Sequence, residues 1–89
     1  MIKRNVLVIN PKDNVAVAIG WIKAGEQLMY GGNKELKALT DVPPSHKVAI
    51  EDIPLHGRII KYGETIGLAT QPIHAGEWVH IHNMKGKGE

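Results

Sequence analysis

The sequence predicts a mostly-β domain of short strands and long bent hairpins, with at most short helical turns. Three observations predict it. The apolar runs are short and rich in Val and Ile: Val6 to Ile9, Val15 to Ile19, Val48 to Ile50, Ile59 to Ile60 and Trp78 to Ile81. Ten glycines and five prolines punctuate the chain and break any long helical pattern. Finally, one pattern recurs. Ala18 to Glu26 and Ala69 to Glu77 both read A-x-x-x-I-x-A-G-E, and Ala49 to Gly57 follows it with one extra residue before the glycine. Each unit reads as strand, apolar-anchored turn, glycine, strand. Ile22, Ile53 and Ile73 are expected to plug the core, and the glycines to take positive φ.

The elements follow in order. Asn10-Pro11-Lys12-Asp13-Asn14 is a turn by composition, so residues 5–19 read as a β-hairpin. Gly31-Gly32-Asn33 and Asp41 to Ser45 are further turns or loops. Glu35 to Leu39 has helix-favouring residues but is too short to stand as a helix alone. A strand follows His46-Lys47, and another ends at Ile60-Lys61-Tyr62-Gly63. Residues 1–85 form one domain, and 86–89 are expected to be a flexible tail, with Lys85, Lys87 and Glu89 set among glycines.

Composition excludes several functions. Eighty-nine residues, 43% hydrophobic and 22% charged, make one ordinary globular domain. There is no cysteine, hence no disulfide framework, thiol catalysis or thiolate-bound zinc. No apolar run reaches the ~18 residues of a membrane span. The start, Met-Ile-Lys-Arg-Asn, precedes only a short apolar stretch, so no signal peptide is read and a cytoplasmic location is expected. A net charge of +2, two Trp, two Tyr and no Phe argue against a nucleic-acid surface.

The C-terminal third carries the candidate chemistry. In a strand, His80 and His82 share one face, with Val79 and Ile81 buried on the other. Two such imidazoles can ligate a transition metal, or one can act as acid or base; they can equally be two solvent-facing side chains. His46-Lys47 and Lys61-Tyr62 lie at strand ends, where Lys and His can bind a carboxylate, phosphate or sulfonate, or serve only as surface charge. His56 and His74 read as exposed turn residues, and Trp21 and Trp78 as core packing at the repeat turns.

Ordered along the chain, Asp13-Asn14-Val15-Ala16-Val17-Ala18, Ile22-x-Ala24-Gly25, His46-Lys47-Val48-Ala49, Ile60-Lys61-Tyr62-Gly63, Ile66-Gly67-x-Ala69 and Pro72-Ile73-x-Ala75-Gly76-Glu77-Trp78-Val79-His80-Ile81-His82-Asn83 form a series. That series resembles the N-terminal domain of altronate and galactarate dehydratases, a SAF-type module with a β-clip fold. The likeness runs from about residue 5 to 85, and the small subunit of sulfolactate sulfo-lyase is similar too. The resemblance implies a stand-alone small subunit or an excised domain that works with a large catalytic dehydratase subunit. It implies β-elimination of water from a sugar acid to a 2-keto-3-deoxy acid, or of sulfite from sulfolactate to give pyruvate. A non-catalytic binding or assembly module is the competing class, and an oligomer is compatible with either. The resemblance further implies iron(II) or manganese(II), shared with the large subunit. His80 and His82 would be metal ligands or catalytic acid and base. His46, Lys47, Lys61, Tyr62 and Asn83 would face the substrate, while Asp13-Asn14 shapes a turn. Relatives often carry His where Asn10 stands, which weakens a catalytic role for the first turn. With two clustered imidazoles and no acidic cluster beside them, the chain alone is expected to have little or no activity.

Overall fold

The computed structural model describes residues 4–30 and 35–86. The expected turn at Gly31 to Asn33 and residues 87–89 of the expected tail lie outside the described residues. The described residues form nine short strands and no helix: β1 (Val6–Leu7), β2 (Val15–Ala18), β3 (Gln27–Leu28), β4 (Leu36–Lys37), β5 (Lys47–Ala49), β6 (Arg58–Lys61), β7 (Glu64–Ala69), β8 (Trp78–Val79) and β9 (Met84–Gly86). They assemble as three antiparallel sheets: β1-β2-β5-β8, β3-β4 and β6-β7-β9. The mostly-β expectation and the first hairpin hold, the latter pairing Val6 with Ala18 and Leu7 with Val17.

The repeat is more complete than the sequence pattern shows. Four units share one plan: a buried Ala, then a buried Ile or Val four residues on, then a positive-φ residue, then a buried aliphatic residue. They are Ala18-Ile22-Gly25-Leu28, Ala38-Val42-Ser45-Val48, Ala49-Ile53-His56-Ile59 and Ala69-Ile73-Gly76-Val79. The second is hidden in sequence because Pro43-Pro44-Ser45 replaces the x-Ala-Gly of its neighbours. The third has no extra residue: His56, not Gly57, takes the positive φ, at 68°. Each turn closes when the residue after the positive-φ position donates its N–H to the carbonyl three back: Glu26 to Lys23, His46 to Pro43, Gly57 to Pro54, and Glu77 to His74. Positive φ at the third turn position is the type II requirement.

The units interlock in pairs. Ile22 and Val42 exchange N–H···O bonds of 3.0 and 2.8 Å, and Ile53 and Ile73 exchange two of 2.8 Å. The N–H of each positive-φ residue donates to the buried Ala of its partner unit: Gly25 to Ala38, Ser45 to Ala18, His56 to Ala69, and Gly76 to Ala49. Asp41 and Asp52 accept from Ala24 and Ala75 of the opposing turns, both at 2.8 Å, while Glu26 and Glu77 accept from the first residues of their own turns. These bonds explain the Glu of A-x-x-x-I-x-A-G-E.

Each pair encloses its own core. One holds Ala18, Ile22, Leu28, Ala38, Val42 and Val48 with Val6 and Ala16; the other holds Ala49, Ile53, Ile59, Ala69, Ile73 and Val79 with Val15. β2 and β5 lie between them, with Ala16 and Val48 in one core and Val15 and Ala49 in the other. Their near-continuous apolar run follows from burial on both faces.

Glu35 to Leu39, left without a helix by its length, contains a strand instead: Leu36–Lys37 pairs with β3, since cross-strand bonding outweighs propensity in so short a run. Three expectations are corrected. β8 stops at Val79 rather than running on through His80 and His82. Trp21 is 62% exposed, not core packing. Lys85 and Gly86 belong to β9, where Lys85 pairs with Leu68 and Gly86 with Gly67. β6 and β7 meet at Tyr62-Gly63, both at positive φ (59° and 74°), the signature of a two-residue type I′ hairpin turn.

The two repeat glycines differ in their surroundings, which yields a direct comparison. A Cβ on Gly25 meets open space, whereas one on Gly76 falls 2.3 Å from the Lys37 carbonyl oxygen. Gly25→Ala therefore costs only backbone strain, about 1–2 kcal/mol, and Gly76→Ala costs more. Urea unfolding of the two variants checks the order.

Candidate functional site

β5 and β8 pair with Lys47 opposite Val79 and Val48 opposite Trp78. β8 is an edge strand, so the chain leaving it is free to turn. Asn83 makes it turn. Its buried side-chain Nδ2 donates to the Trp78 carbonyl at 2.8 Å, and its Oδ1 accepts from the His80 N–H at 2.9 Å. Its own N–H donates to the His80 carbonyl at 3.1 Å, and its carbonyl accepts from Thr70 N–H at 2.9 Å. Residues 80–83 thus double back instead of continuing the strand.

That turn gathers three imidazoles around one indole. Trp78 Nε1–H donates to His46 Nδ1 at 3.1 Å. The His80 ring stacks on Trp78 at 5.2 Å between centroids and 9° between planes. His82 lies 5.1 Å from Trp78 at a tilt of 48°, and His46 lies 4.8 Å from His80. The expectation that Ile81 is buried opposite the histidines is wrong: it is 81% exposed, because the turn takes it off the strand face.

Two lysines lie within electrostatic reach of this cluster, Lys47 of His80 and Lys61 of Lys47. Burial and the nearby Lys61 ammonium both lower the Lys47 pKa from 10.5, with burial the larger cause. The His80 pKa is lowered from 6.5 first by desolvation, then by the charges of His46, Lys47 and His82. His80 is therefore held in the neutral, proton-accepting form at neutral pH. Lys61 Nζ lies 5.0 Å from the centre of the Tyr62 ring.

The hairpin bearing Lys61 and Tyr62 is fixed by the first turn. The buried Asp13 carboxylate accepts from Tyr62 N–H at 3.1 Å, from Gly63 N–H at 2.8 Å and from Asn10 N–H at 3.1 Å. Asn14 adds bonds to the Ile60 N–H and the Arg58 carbonyl, both at 2.8 Å. Asp13-Asn14 shapes a turn, as read from sequence. A Cβ on Gly63 would lie 2.9 Å from Asn10 Nδ2, so the first turn adjoins the Lys61-Tyr62 turn.

The structure brings His46, His80 and His82 together around Trp78, with Lys47 close enough to act on His80 and Lys61 on Lys47. Tyr62 is exposed at the hairpin tip. Asn83, expected against the substrate, is fully buried with both amide atoms engaged, and positions His80 instead. Sequence reasoning missed Trp78 as the organiser. The signal was its spacing: Trp78, His80 and His82 stand at i, i+2 and i+4. Among the described residues no group of three or more His, Asp or Glu side chains is placed to hold a metal ion, and His46 Nδ1 is occupied by the indole. These side chains do not make a metal site by themselves.

The architecture defines a small all-β module with an imidazole cluster packed on one indole and two lysines within reach of it. Residues 4–87 match the altronate/galactarate dehydratase SAF domain, and the chain belongs to that family. It is 40% identical over 83 residues to altronate dehydratase of Bacillus subtilis, a match covering 92% of this chain but 16% of that protein. It is 40% identical over 73 residues to galactarate dehydratase (L-threo-forming) of Escherichia coli, covering 80% of this chain and 13% of that protein. The chain thus spans about a sixth or less of these dehydratases. It is 32% identical over 82 residues to the (2R)-sulfolactate sulfo-lyase subunit alpha of Chromohalobacter salexigens, covering 92% of this chain and 82% of that one. Among the described residues no helix is long and apolar enough to cross a membrane.

The lowered His80 pKa has a stability consequence. The unfolded chain takes up this proton near 6.5 and the folded chain only below that. His80 therefore withdraws stability as pH falls from the ordinary histidine value towards its own lower one. Chemical denaturation from pH 8 to pH 5 should show a steeper acid loss for the wild type than for His80→Gln. Asn83→Ala should cost about 2 kcal/mol, the scale of leaving buried partners unsatisfied, and should broaden the His80 amide signal.

Proposed function

We propose that this chain is the small-domain component of a lyase acting on hydroxy acids, and that it works with a large catalytic dehydratase subunit. The reaction is β-elimination of water from a sugar acid of the altronate or galactarate class to a 2-keto-3-deoxy acid. The observation that carries this reading is the imidazole cluster around Trp78, with the Lys47 charge within reach of His80 and the Lys61 charge within reach of Lys47. The family relationship supplies the substrate class.

The chemistry needs an anion site, a base and an acid. Lys47 and Lys61 supply two ammonium groups; burial first, and then repulsion from the Lys61 charge, lowers the Lys47 pKa. A bound carboxylate relieves that repulsion, so binding and electrostatics reinforce each other. His80, neutral at working pH, accepts a proton from the carbon next to the carboxylate or passes one to the leaving hydroxyl. His82 stands beside it, across the indole. Iron(II) or manganese(II), if the assembly uses one, takes its main ligands from the large subunit, and no step here is routed through it. The exposed Ile81 lies between the two histidines in sequence, and the partner surface that completes the site covers it.

A second reading has its own support. The sulfo-lyase alpha subunit is matched over 82% of its length, and elimination of sulfite from sulfolactate needs the same proton acceptor beside an anion site. Reconstitution with the large subunit, assayed on altronate, galactarate and sulfolactate with and without iron or manganese, separates the two. Keto-acid from a sugar acid supports the dehydratase; pyruvate and sulfite support the sulfo-lyase; no product from a well-formed complex overturns both.

Single substitutions test the roles. His80→Gln in the complex should lower kcat by about a hundredfold, the scale of losing a general acid or base, with assembly intact on a sizing column. Lys47→Met should raise the stability of the chain, because a half-buried charge is removed, while raising KM.

A further inference from the structure

Trp78 occupies a place in the repeat that does not call for a core residue. The equivalent positions of the other three units, one before the buried aliphatic, are Gln27, Lys47 and Arg58. A tryptophan here has a local purpose, and its contacts show which.

The indole N–H can only donate. At 3.1 Å it donates to His46 Nδ1, so that nitrogen carries a lone pair, and the ring proton of neutral His46 lies on Nε2. The indole is itself held firmly. Trp78 N–H donates to Thr40 Oγ1 at 2.9 Å, its carbonyl accepts from Asn83 Nδ2 at 2.8 Å, and its half-buried ring packs against the first core. The near-parallel stack with His80 also limits rotation of that imidazole.

We propose that Trp78 is a positioning residue: its indole N–H holds His46 in the Nε2–H tautomer, making His46 a hydrogen-bond donor and leaving His80 as the proton acceptor. The division of labour rests on the lyase reading above; the tautomer does not. His46 then supplies a donor for developing negative charge on the substrate or leaving group, and cannot compete with His80 for a proton from Nδ1.

The test is a long-range 1H–15N spectrum of the imidazoles of the full chain at pH 7.5. His46 should show a protonated Nε2 and a bare Nδ1. The Trp78 indole N–H should exchange more slowly than that of Trp21, which is 62% exposed and serves as the internal reference. Trp78→Phe keeps a ring for stacking but removes the donor, so His46 should gain the Nδ1–H tautomer. In the reconstituted complex the same variant should lose about tenfold or more in kcat with KM little changed. A wild-type His46 protonated on Nδ1 overturns the proposal without any variant, and so does an unchanged tautomer in a folded Trp78→Phe chain. A correct tautomer in a complex that turns over none of the three acids sinks the lyase reading and leaves the assignment of Trp78 standing.

Discussion

The structure depends on one contact made twice: the reciprocal backbone bonding of two buried aliphatic residues, Ile22 with Val42 and Ile53 with Ile73. Each residue sits alone between turns, outside any named strand, and would otherwise bury two unpaired backbone groups. Pairing satisfies both partners at once, because each donates to and accepts from the other. The side chains then fill the two cores, and the flanking turns are carried into position. An 89-residue chain with no helix among its described residues has few ways to bury backbone, and this is the one it repeats.

Positive φ is the constraint that makes the contact possible. It directs the N–H of Gly25, Ser45, His56 and Gly76 towards the buried Ala of the partner unit. Glycine takes this conformation without a steric penalty, while Ser and His carry a modest one. The bonds to Ala18 and Ala69, at 2.8 and 2.9 Å, are retained at Ser45 and His56, so the surrounding lattice of turns over-determines the geometry. His56 is therefore a backbone device, and its exposed imidazole lies apart from the cluster around Trp78.

The site is a departure from the repeat rather than a product of it. Where the last unit ends, the Asn83 amide replaces strand pairing by a tight turn, and His80 and His82 are turned towards Trp78. The first turn uses Asp13 and Asn14 to hold the hairpin of another sheet that brings Lys61 near Lys47. Two buried polar side chains far apart in sequence, Asp13 and Asn83, thus set the two halves of the site. Their cost of burial is offset by hydrogen bonds; among the described residues no buried side-chain nitrogen or oxygen lacks a partner.

Local pattern in the sequence determined the β class, the first hairpin and the buried Ile anchors. All of these follow from short-range rules: alternation, turn chemistry and the repeated A-x-x-x-I-x-A-G-E. The tertiary structure decided what local rules cannot reach. Val42 is a fourth anchor because Ile22 needs a bonding partner, although its own turn has Pro and Ser in place of Ala and Gly. Leu36–Lys37 is a strand because β3 offers an edge. Ile81 is exposed because Asn83, two residues later, captures the chain. His46 has a defined tautomer because β5 and β8 pair in one register, bringing an indole from residue 78 to an imidazole from residue 46. A side chain's type sets what it can donate or accept; only the partner brought to it across the fold decides which of those it does.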